Sequence, residues 1–213
     1  MINNQKNIKN IIFDLGGVIL DIDMDKSVDA FNLLGISGFK SEDIHPNTKD
    51  FFIDLEKGTI STHQFFESIL AAYPTQKTIS QKDLYEAWAA LLLPFKKERI
   101  KILQELKNKN YKIYLLSNTN YPHRIRFLNN FARQFGFDME SLFEKCYYSD
   151  DLGMRKPDKS IYAHVIQDSY LDPKETIFID DNACNLDGAK ECGLHTYHLK
   201  ATNGETIEDF FKN

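Results

Sequence analysis

The hydrophobic pattern along the chain predicts short buried strands separated by amphipathic helices. Short, mostly apolar runs bounded by polar or turn-forming residues are typical of buried strands. Such runs occur at residues 11–15, 112–116, 145–148, 176–179 and 196–199. Helical periodicity covers residues 96–109, 121–135 and 157–169, and Pro157 suits the first turn of the last of these helices. Strands that alternate with helices in this way favour an α/β fold with a parallel sheet.

The interval between the first two predicted strands is longer than one crossover helix requires. It contains three helical stretches, DKSVDAFNLLG, STHQFFESILAAY and QKDLYEAWAALLL. Ser61 and Gln64 fit a capping box at the start of the second stretch. We therefore predict a doubly wound, parallel-sheet core formed by residues 1–20 and 95–213, with a helical cap inserted at residues 21–94.

Composition and charge indicate which kinds of partner and which cellular environment to expect. The chain has 213 residues, of which 42% are hydrophobic and 27% charged, and a net charge of −5. This mild negative charge argues against nucleic acid or an anionic membrane surface as a partner, and no apolar run reaches the length of a membrane span. Cys146, Cys184 and Cys192 form no CxxC pair, so we expect reduced thiols in a cytoplasmic protein. The oligomeric state is left open.

Polar residues stand at the ends of three predicted strands. In the opening stretch NIIFDLGGVILDID, the first strand leads into Asp14. Ser117 and Asn118 follow the second strand, and Asp180 and Asp181 follow the fourth. In an open parallel sheet, ligands bind beyond the carboxyl ends of the strands. These side chains are therefore the first candidates for a functional site.

The residue types in this set fit phosphoryl-transfer chemistry. A carboxylate from the first strand and one from the fourth can share Mg²⁺, and an aspartate can attack phosphorus as a nucleophile. The Ser117 hydroxyl and the ammonium of Lys156, from the loop after the third strand, can hold the phosphoryl oxygens. The expected ligand is thus a small phosphate ester.

Four motifs in the chain resemble those of the haloacid dehalogenase superfamily of aspartate-nucleophile phosphohydrolases. They are FDLGGV, LLSNTN, RKPD and FIDDNACNLDGA, in the order that the family has them. The resemblance spans essentially the whole chain, and the helical insertion corresponds to the helical cap of the family. Glycine two residues after the nucleophile is similar to a subgroup of sugar-phosphate phosphatases, which includes glucose-1-phosphate phosphatases and relatives of the epoxide hydrolase phosphatase domain. The resemblance implies Mg²⁺-dependent hydrolysis of a small phosphorylated metabolite, such as a sugar phosphate, through an aspartyl-phosphate.

The resemblance also implies a metal site. Asp14 would be both the nucleophile and a metal ligand, and Gly16 would offer its backbone carbonyl to the metal. Asp181 would be the direct ligand of the acidic pair, with Asp180 in a supporting or water-mediated role. Asn185 would help to orient the loop that carries the pair.

The phosphate would be held, on the same resemblance, by residues from the second and third motifs. Ser117 together with Asn118 would bind it, and Lys156 would steady both the phosphate and the nucleophile. Ser117, Asn118 and Lys156 are therefore the predicted substrate-binding residues.

The opening stretch departs from the family at Gly16. Phosphatases of the superfamily usually carry a second aspartate there, as acid to the leaving group and base to water. Glycine cannot transfer a proton, so Asp21 and Asp23, on one face of an extended segment, are the candidates to replace it. The same segment could instead be a solvated hairpin. Without an acid, we expect anomeric and aryl phosphates to be hydrolysed faster than primary alkyl phosphates.

Two other functions remain open from the sequence. One is haloacid dehalogenation, in which the nucleophile attacks carbon without a metal. The acidic pair Asp180 and Asp181 argues against it, because clustered carboxylates have no use there. The other is a non-catalytic protein that binds phosphate or a partner, which the glycine at position 16 motivates.

Overall fold

One parallel sheet organises the molecule, and the computed structural model describes it within residues 7–44 and 49–212. In these residues the strands are β1 (Asn10–Phe13), β2 (Lys112–Ser117), β3 (Lys145–Tyr148), β4 (Thr176–Asp180) and β5 (His195–His198). Their order across the sheet is β3-β2-β1-β4-β5. The first strand, β1, is the central one. Strands β2 and β3 lie on one side of it, and β4 and β5 lie on the other. The predicted doubly wound fold is confirmed, and its switch point lies between β1 and β4, where ligands bind in such sheets.

Helices cover both faces of the sheet. They are α5 (Lys97–Asn108), α6 (Tyr121–Phe135), α7 (Ser149–Leu152), α8 (Lys159–Asp168), α9 (Ala183–Glu191) and α10 (Ile207–Lys212). Alternation along β1 sends Ile11 and Phe13 into a cluster with α5 and α6, and Ile12 into a cluster with α8 and α9. The central strand is therefore buried on both faces, which explains why its sequence is an unbroken apolar run.

In its described residues, the long interval after β1 folds into four α-helices with a hydrophobic cluster of their own. They are α1 (Met24–Leu33), α2 (Asp50–Glu56), α3 (Thr62–Ala72) and α4 (Gln81–Ala89). We call residues 24–89 the helical insertion. Aromatic side chains such as Phe31, Phe65 and Trp88 fill its centre. The boundaries 21–94 stay a prediction, and residues 1–6, 45–48 and 213 of the predicted domains lie outside the described residues.

Several predicted details can be compared directly with the structure. The capping box at the start of α3 is present, because Gln64 N–H donates to Ser61 Oγ at 3.2 Å and Ser61 N–H donates to Gln64 Oε1 at 2.9 Å. Helix α2 was not predicted. Pro157 lies before α8 and not in its first turn, because Asp158 N–H donates to Arg155 O at 3.0 Å and closes a turn around it.

Two general expectations concern the environment of the protein. Cys146, Cys184 and Cys192 are all free thiols. Among the residues that the structure describes, none of the helices combines the length and the apolar character that crossing a membrane would require.

Candidate active site

Asp14 lies directly after β1, at the switch point of the sheet. Its N–H donates to Ile179 O of β4 at 2.9 Å, which fixes its backbone between the two central strands. Lys156 Nζ donates to Asp14 Oδ1 at 2.5 Å. The other oxygen, Oδ2, accepts no hydrogen bond from any residue in the described part of the chain. One carboxylate oxygen is thus held in place while the other is available to a ligand.

Lys156 joins three parts of the sheet edge through its ammonium group. The side chain is 1% exposed, and Nζ donates to Asp14 Oδ1 at 2.5 Å, to Leu116 O at 3.0 Å and to Asp180 Oδ2 at 2.8 Å. Burial disfavours the charge, but the carboxylates of Asp14 and Asp180 outweigh it and raise the pKa of Lys156. The group therefore stays an ammonium. The contact with the Leu116 carbonyl left no signal in the sequence.

Asn118 holds the backbone of Lys156. Its Nδ2 donates to Lys156 O at 2.9 Å, and its Oδ1 accepts from Lys156 N–H at 2.9 Å. The whole side-chain amide is engaged with the loop that carries the lysine, a contact that the sequence did not predict. The predicted binding of phosphate by Asn118 stays a prediction. Ser117 ends β2 at the same edge of the sheet and is 2% exposed.

The loop after β2 is held from its other side by Ser149, which sequence reasoning missed. Thr119 N–H donates to Ser149 Oγ at 2.9 Å, and Ser149 Oγ donates to Thr119 O at 3.0 Å. Ser149 is fully buried at the start of α7. A serine after a strand carries no distinctive sequence signal, because the same residue type commonly occurs in turns.

The adjacent carboxylates of Asp180 and Asp181 have different surroundings. Asp180 is fully buried. Its Oδ1 accepts from Asn182 N–H at 2.8 Å, and its Oδ2 accepts from Lys156 Nζ at 2.8 Å. Asn185 Nδ2 donates to both oxygens at 3.0 Å. Asp181 is partly exposed, and within the described residues no other residue donates a hydrogen bond to its carboxylate. Asp180 is therefore occupied by the protein, whereas Asp181 is available to a ligand.

Three carboxylates crowd this end of the sheet. Asp14, Asp180 and Asp181 each offer an oxygen, and these oxygens lie within 4.8 Å of one another. Burial raises the pKa of Asp14 to about 8, to which the charges of Asp180 and Asp181 add against the ammonium of Lys156. Burial and Asp180 also raise the pKa of Asp181 to about 6.

This charge balance and the donor types fit a divalent cation. When all three carboxyl groups are ionised, they face one positive charge, that of Lys156, and two negative charges remain uncompensated. Like charges at such separations repel unless a cation lies among them. Oxygen donors are what Mg²⁺ prefers, and it commonly uses only one or two protein carboxylates. The residues present therefore fit the magnesium site that the sequence predicted.

The two glycines after Asp14 serve different purposes. Gly17 has φ 71°, and a Cβ there would stand 2.1 Å from Asp181 Oδ2. Both the backbone conformation and the close approach therefore require glycine. Gly16 has no positive φ, and the first atom that a Cβ would meet is Cδ1 of Ile22 at 2.5 Å. The predicted use of the Gly16 carbonyl as a metal ligand stays a prediction.

The surroundings of this segment argue against Asp21 and Asp23 as acids beside Gly16. Asp21 forms ion pairs with Lys96 at 2.7 Å and with Arg99 at 2.8 Å. Burial works to raise the pKa of Asp21, but these two cations outweigh it and the pKa is lowered, which suits a structural ion pair and not an acid. Ile22 points at Gly16, so alternation along this extended segment directs Asp21 and Asp23 to the other side.

Comparison with known proteins places this architecture in a family. Residues 8–193 match the haloacid dehalogenase-like hydrolases. The chain belongs to this family of hydrolases. The resemblance in the four motifs is thereby confirmed at the level of the superfamily.

Individual members of the family match over nearly the full chain. A D-ribitol-5-phosphate phosphatase of Bacteroides thetaiotaomicron is 33% identical over 195 residues, which cover 89% of this chain and 91% of the relative. A haloacid dehalogenase (HAD) family enzyme of the same organism has been solved as a variant in complex with magnesium and inorganic phosphate. It superposes on this chain with a TM-score of 0.88 at 33% sequence identity, and the match covers 97% of this chain and 100% of the enzyme. A HAD-like hydrolase of Porphyromonas gingivalis superposes with a TM-score of 0.77 at 31% identity, over 90% and 91% of the two chains.

Proposed function

We propose that this hydrolase is a Mg²⁺-dependent phosphatase of small phosphomonoesters, with Asp14 as the nucleophile. The observation that carries the proposal is the asymmetry of the Asp14 carboxylate. Oδ1 accepts from Lys156 at 2.5 Å, whereas Oδ2 accepts no hydrogen bond from the described residues, and the Asp181 carboxylate lies close by. A nucleophile needs one oxygen free to attack and the rest of the group held in orientation.

The residues divide the work of two successive displacements. Asp14 Oδ2 attacks phosphorus, the bond from phosphorus to the ester oxygen breaks, and the phosphoryl group is left on Asp14. The ester oxygen departs with the bonding electron pair and takes a proton from solvent, which releases the alcohol. Water then attacks the same phosphorus, releasing inorganic phosphate and restoring the carboxylate. During both steps the Ser117 hydroxyl donates to a phosphoryl oxygen, and the Lys156 ammonium offsets negative charge beside Asp14.

Asp14, Asp181 and the Gly16 carbonyl would hold the magnesium ion. When bound, it would supply charge neutralisation for the phosphoryl oxygens, which otherwise repel an attacking carboxylate. Asp180 would not need to touch it, because Lys156, Asn182 and Asn185 already satisfy its oxygens. Support for magnesium comes from the similar HAD family enzyme, which was solved in complex with magnesium and inorganic phosphate.

The substrate class that we propose is a phosphorylated sugar or sugar alcohol. The similar phosphatase of Bacteroides thetaiotaomicron is named for D-ribitol 5-phosphate, a primary alkyl phosphate of a polyol. The glycine at position 16 instead favours anomeric phosphates, whose leaving oxygen departs more readily. The helical insertion would act as a cap that closes over the ester and excludes water. The cytoplasmic location stays a prediction.

A kinetic comparison tests the proposal. Purified protein is assayed with D-ribitol 5-phosphate, glucose 1-phosphate and p-nitrophenyl phosphate, with magnesium and with a chelator, beside an Asp14→Asn control. We expect magnesium-dependent release of phosphate that the control lacks. Release of halide from a 2-haloacid without metal would instead support a dehalogenase, and phosphate binding without any turnover would support a non-catalytic protein.

A further inference from the structure

Three consecutive residues at the end of α2 dock the helical insertion on the core. Glu56 Oε2 accepts from Arg155 Nε at 3.0 Å and forms an ion pair with Arg155 Nη2, from which it lies 2.8 Å away. Lys57 Nζ lies 3.8 Å from an oxygen of Asp158. Gly58 has φ 63°, and a Cβ there would stand 2.3 Å from the Asp150 carbonyl oxygen. The backbones of the two parts therefore meet at close range here.

Arg155 immediately precedes Lys156, so this contact reaches the loop that carries the active-site ammonium. Arg155 is 8% exposed. On the side of the core, Asn118 holds both backbone groups of Lys156 at 2.9 Å. On the side of the insertion, Glu56 holds Arg155. Burial raises the pKa of Glu56 against the opposing charges of Arg155 and Lys156.

We propose that Glu56 is a positioning residue for Lys156. Through Arg155, it couples the docked position of the helical insertion to the ammonium that holds Asp14 in orientation. This inference rests on the proposed function, in which Lys156 steadies the nucleophile and the phosphoryl group. Lys156 would then be fully placed only when the insertion is docked, so that closure over the ester and assembly of the site occur together.

A second ion pair between insertion and core offers a matched control. Glu86 of α4 pairs with Arg126 of α6 at 2.6 Å. Like Glu56, it is a glutamate of the insertion bound to an arginine of the core, but among the described residues Arg126 forms no ion pair or hydrogen bond with the loop that carries Lys156. If Glu56 only docks the insertion, Glu56→Gln and Glu86→Gln should resemble each other.

Two measurements separate positioning from docking. The first is the rate at which a small amine-acylating reagent modifies Lys156, read by mass spectrometry. The side chain is 1% exposed, and we expect its modification to become at least about tenfold faster in Glu56→Gln and to be unchanged in Glu86→Gln. The second is turnover of p-nitrophenyl phosphate, a small ester. We expect its kcat to fall by about 10- to 100-fold in Glu56→Gln only, because small displacements of positioned groups have effects of this size.

The results can overturn the inference independently of the phosphatase proposal. Unchanged protection of Lys156 in Glu56→Gln, or equal effects of the two variants, would show that Glu56 only docks the insertion. An inactive wild-type protein would refute the phosphatase proposal, while the acylation experiment would still decide the role of Glu56. Should Glu56→Gln fail to fold, Glu56→Asp keeps the charge and shortens the side chain. We expect it to expose Lys156 partially, and full protection would overturn the inference.

Discussion

Gly17 lies so close to the Asp181 carboxylate that a Cβ at position 17 would stand 2.1 Å from Oδ2. The backbone of the loop after β1 thereby forms one wall of the site in which Asp181 and Asp14 meet. Its positive φ of 71° adds a second reason for glycine at this position. Gly16, next to it, has neither restriction, because its φ is not positive and the nearest obstacle is the mobile end of Ile22.

Alanine at the two glycines should therefore have unequal effects. Gly17→Ala should displace Asp181, add about 1–2 kcal/mol of backbone strain and lower magnesium affinity and turnover by more than about tenfold. Gly16→Ala, the control, should require only a rotation of Ile22 and leave magnesium affinity within a factor of about two. Calorimetric titration with magnesium, beside thermal unfolding, measures both. Equal tolerance of the two alanines would contradict the role given to Gly17.

Asp14→Asn should abolish turnover without unfolding the protein. Asparagine keeps the shape of the side chain but cannot attack phosphorus, and loss of a nucleophile commonly lowers kcat by on the order of 10⁵-fold. Removing one of three crowded carboxylates also relieves repulsion, so thermal stability should not fall below that of the wild type. Beryllium fluoride, which mimics the aspartyl-phosphate, should label the wild type at Asp14. An adduct on another residue would identify a different nucleophile.

Asp180→Ala and Asp181→Ala should separate stability from metal binding. Asp180→Ala leaves the buried Lys156 ammonium without one of its partners, and breaking a buried ion pair of this kind lowers the free energy of unfolding by about 3–5 kcal/mol. Asp181→Ala should lower magnesium affinity strongly with little effect on the unfolding temperature. Calorimetric titration and thermal unfolding of both variants check this. If Asp180→Ala keeps its stability and loses magnesium, the two roles are reversed.

The sequence predicted which residues come together at the edge of the sheet, but not which hydrogen bonds hold each of them. Asp14, Ser117, Asp180 and Asp181 could be placed together because the carboxyl ends of parallel strands share one edge of a sheet. The engagement of the Asn118 amide with the backbone of Lys156 could not, because it depends on the conformation of two loops that are far apart in the chain.

The alternation of side chains along residues 21–23 could be predicted from the sequence. Which of the two faces of this segment lies towards the site could not. Ile22 points at Gly16, whereas Asp21 pairs with Lys96 and Arg99, and the shared face of Asp21 and Asp23 stays a prediction. The direction is set by partners that local sequence does not reveal, since Lys96 and Arg99 lie more than seventy residues further along the chain and bind Asp21. Periodicity divides the side chains between two faces of the segment. Long-range contacts decide which of these faces lies towards the site.

Gly16→Asp should introduce a proton donor beside the bridging oxygen of the ester. Its backbone is compatible with a side chain, and Ile22→Ala in the same protein removes the contact with Cδ1 at 2.5 Å. General acid catalysis contributes about 10²–10⁴-fold, and most for poor leaving groups. The double variant should therefore hydrolyse primary alkyl phosphates faster relative to p-nitrophenyl phosphate than Ile22→Ala alone does. A wild-type rate that is independent of leaving-group acidity would show that no donor is missing.

His123 joins the core to the helical insertion as a neutral side chain. Its ring stacks on Trp88 at 4.6 Å between centroids, and Nε2 lies 2.9 Å from Trp88 O. A carbonyl only accepts, so Nε2 carries the hydrogen. Nδ1 lies 3.1 Å from Asn120 Nδ2 and accepts from it, since Asn120 Oδ1 already accepts from His123 N–H and Trp88 Nε1. Burial lowers the pKa of His123 from 6.5 to about 4, helped by the charge of Arg126.

The contribution of His123 to stability should consequently fall as the pH drops from 6.5 towards 4. Above pH 6.5 the folded and unfolded states both hold a neutral His123, and its contribution is fully present. Between 6.5 and 4 only the unfolded state gains the proton on this histidine, so the contribution of His123 to the free energy of unfolding falls by about 1.4 kcal/mol per pH unit, or about 2 kcal/mol from pH 7.5 to 5. Urea unfolding at these two pH values measures the difference. In His123→Gln, the change in the free energy of unfolding between the two pH values should differ from the wild-type change by that amount, whereas His63→Gln, at an exposed position on α3, should match the wild type. An equal change in His123→Gln and in the wild type would mean that the buried histidine does not contribute to the response of the fold to acid.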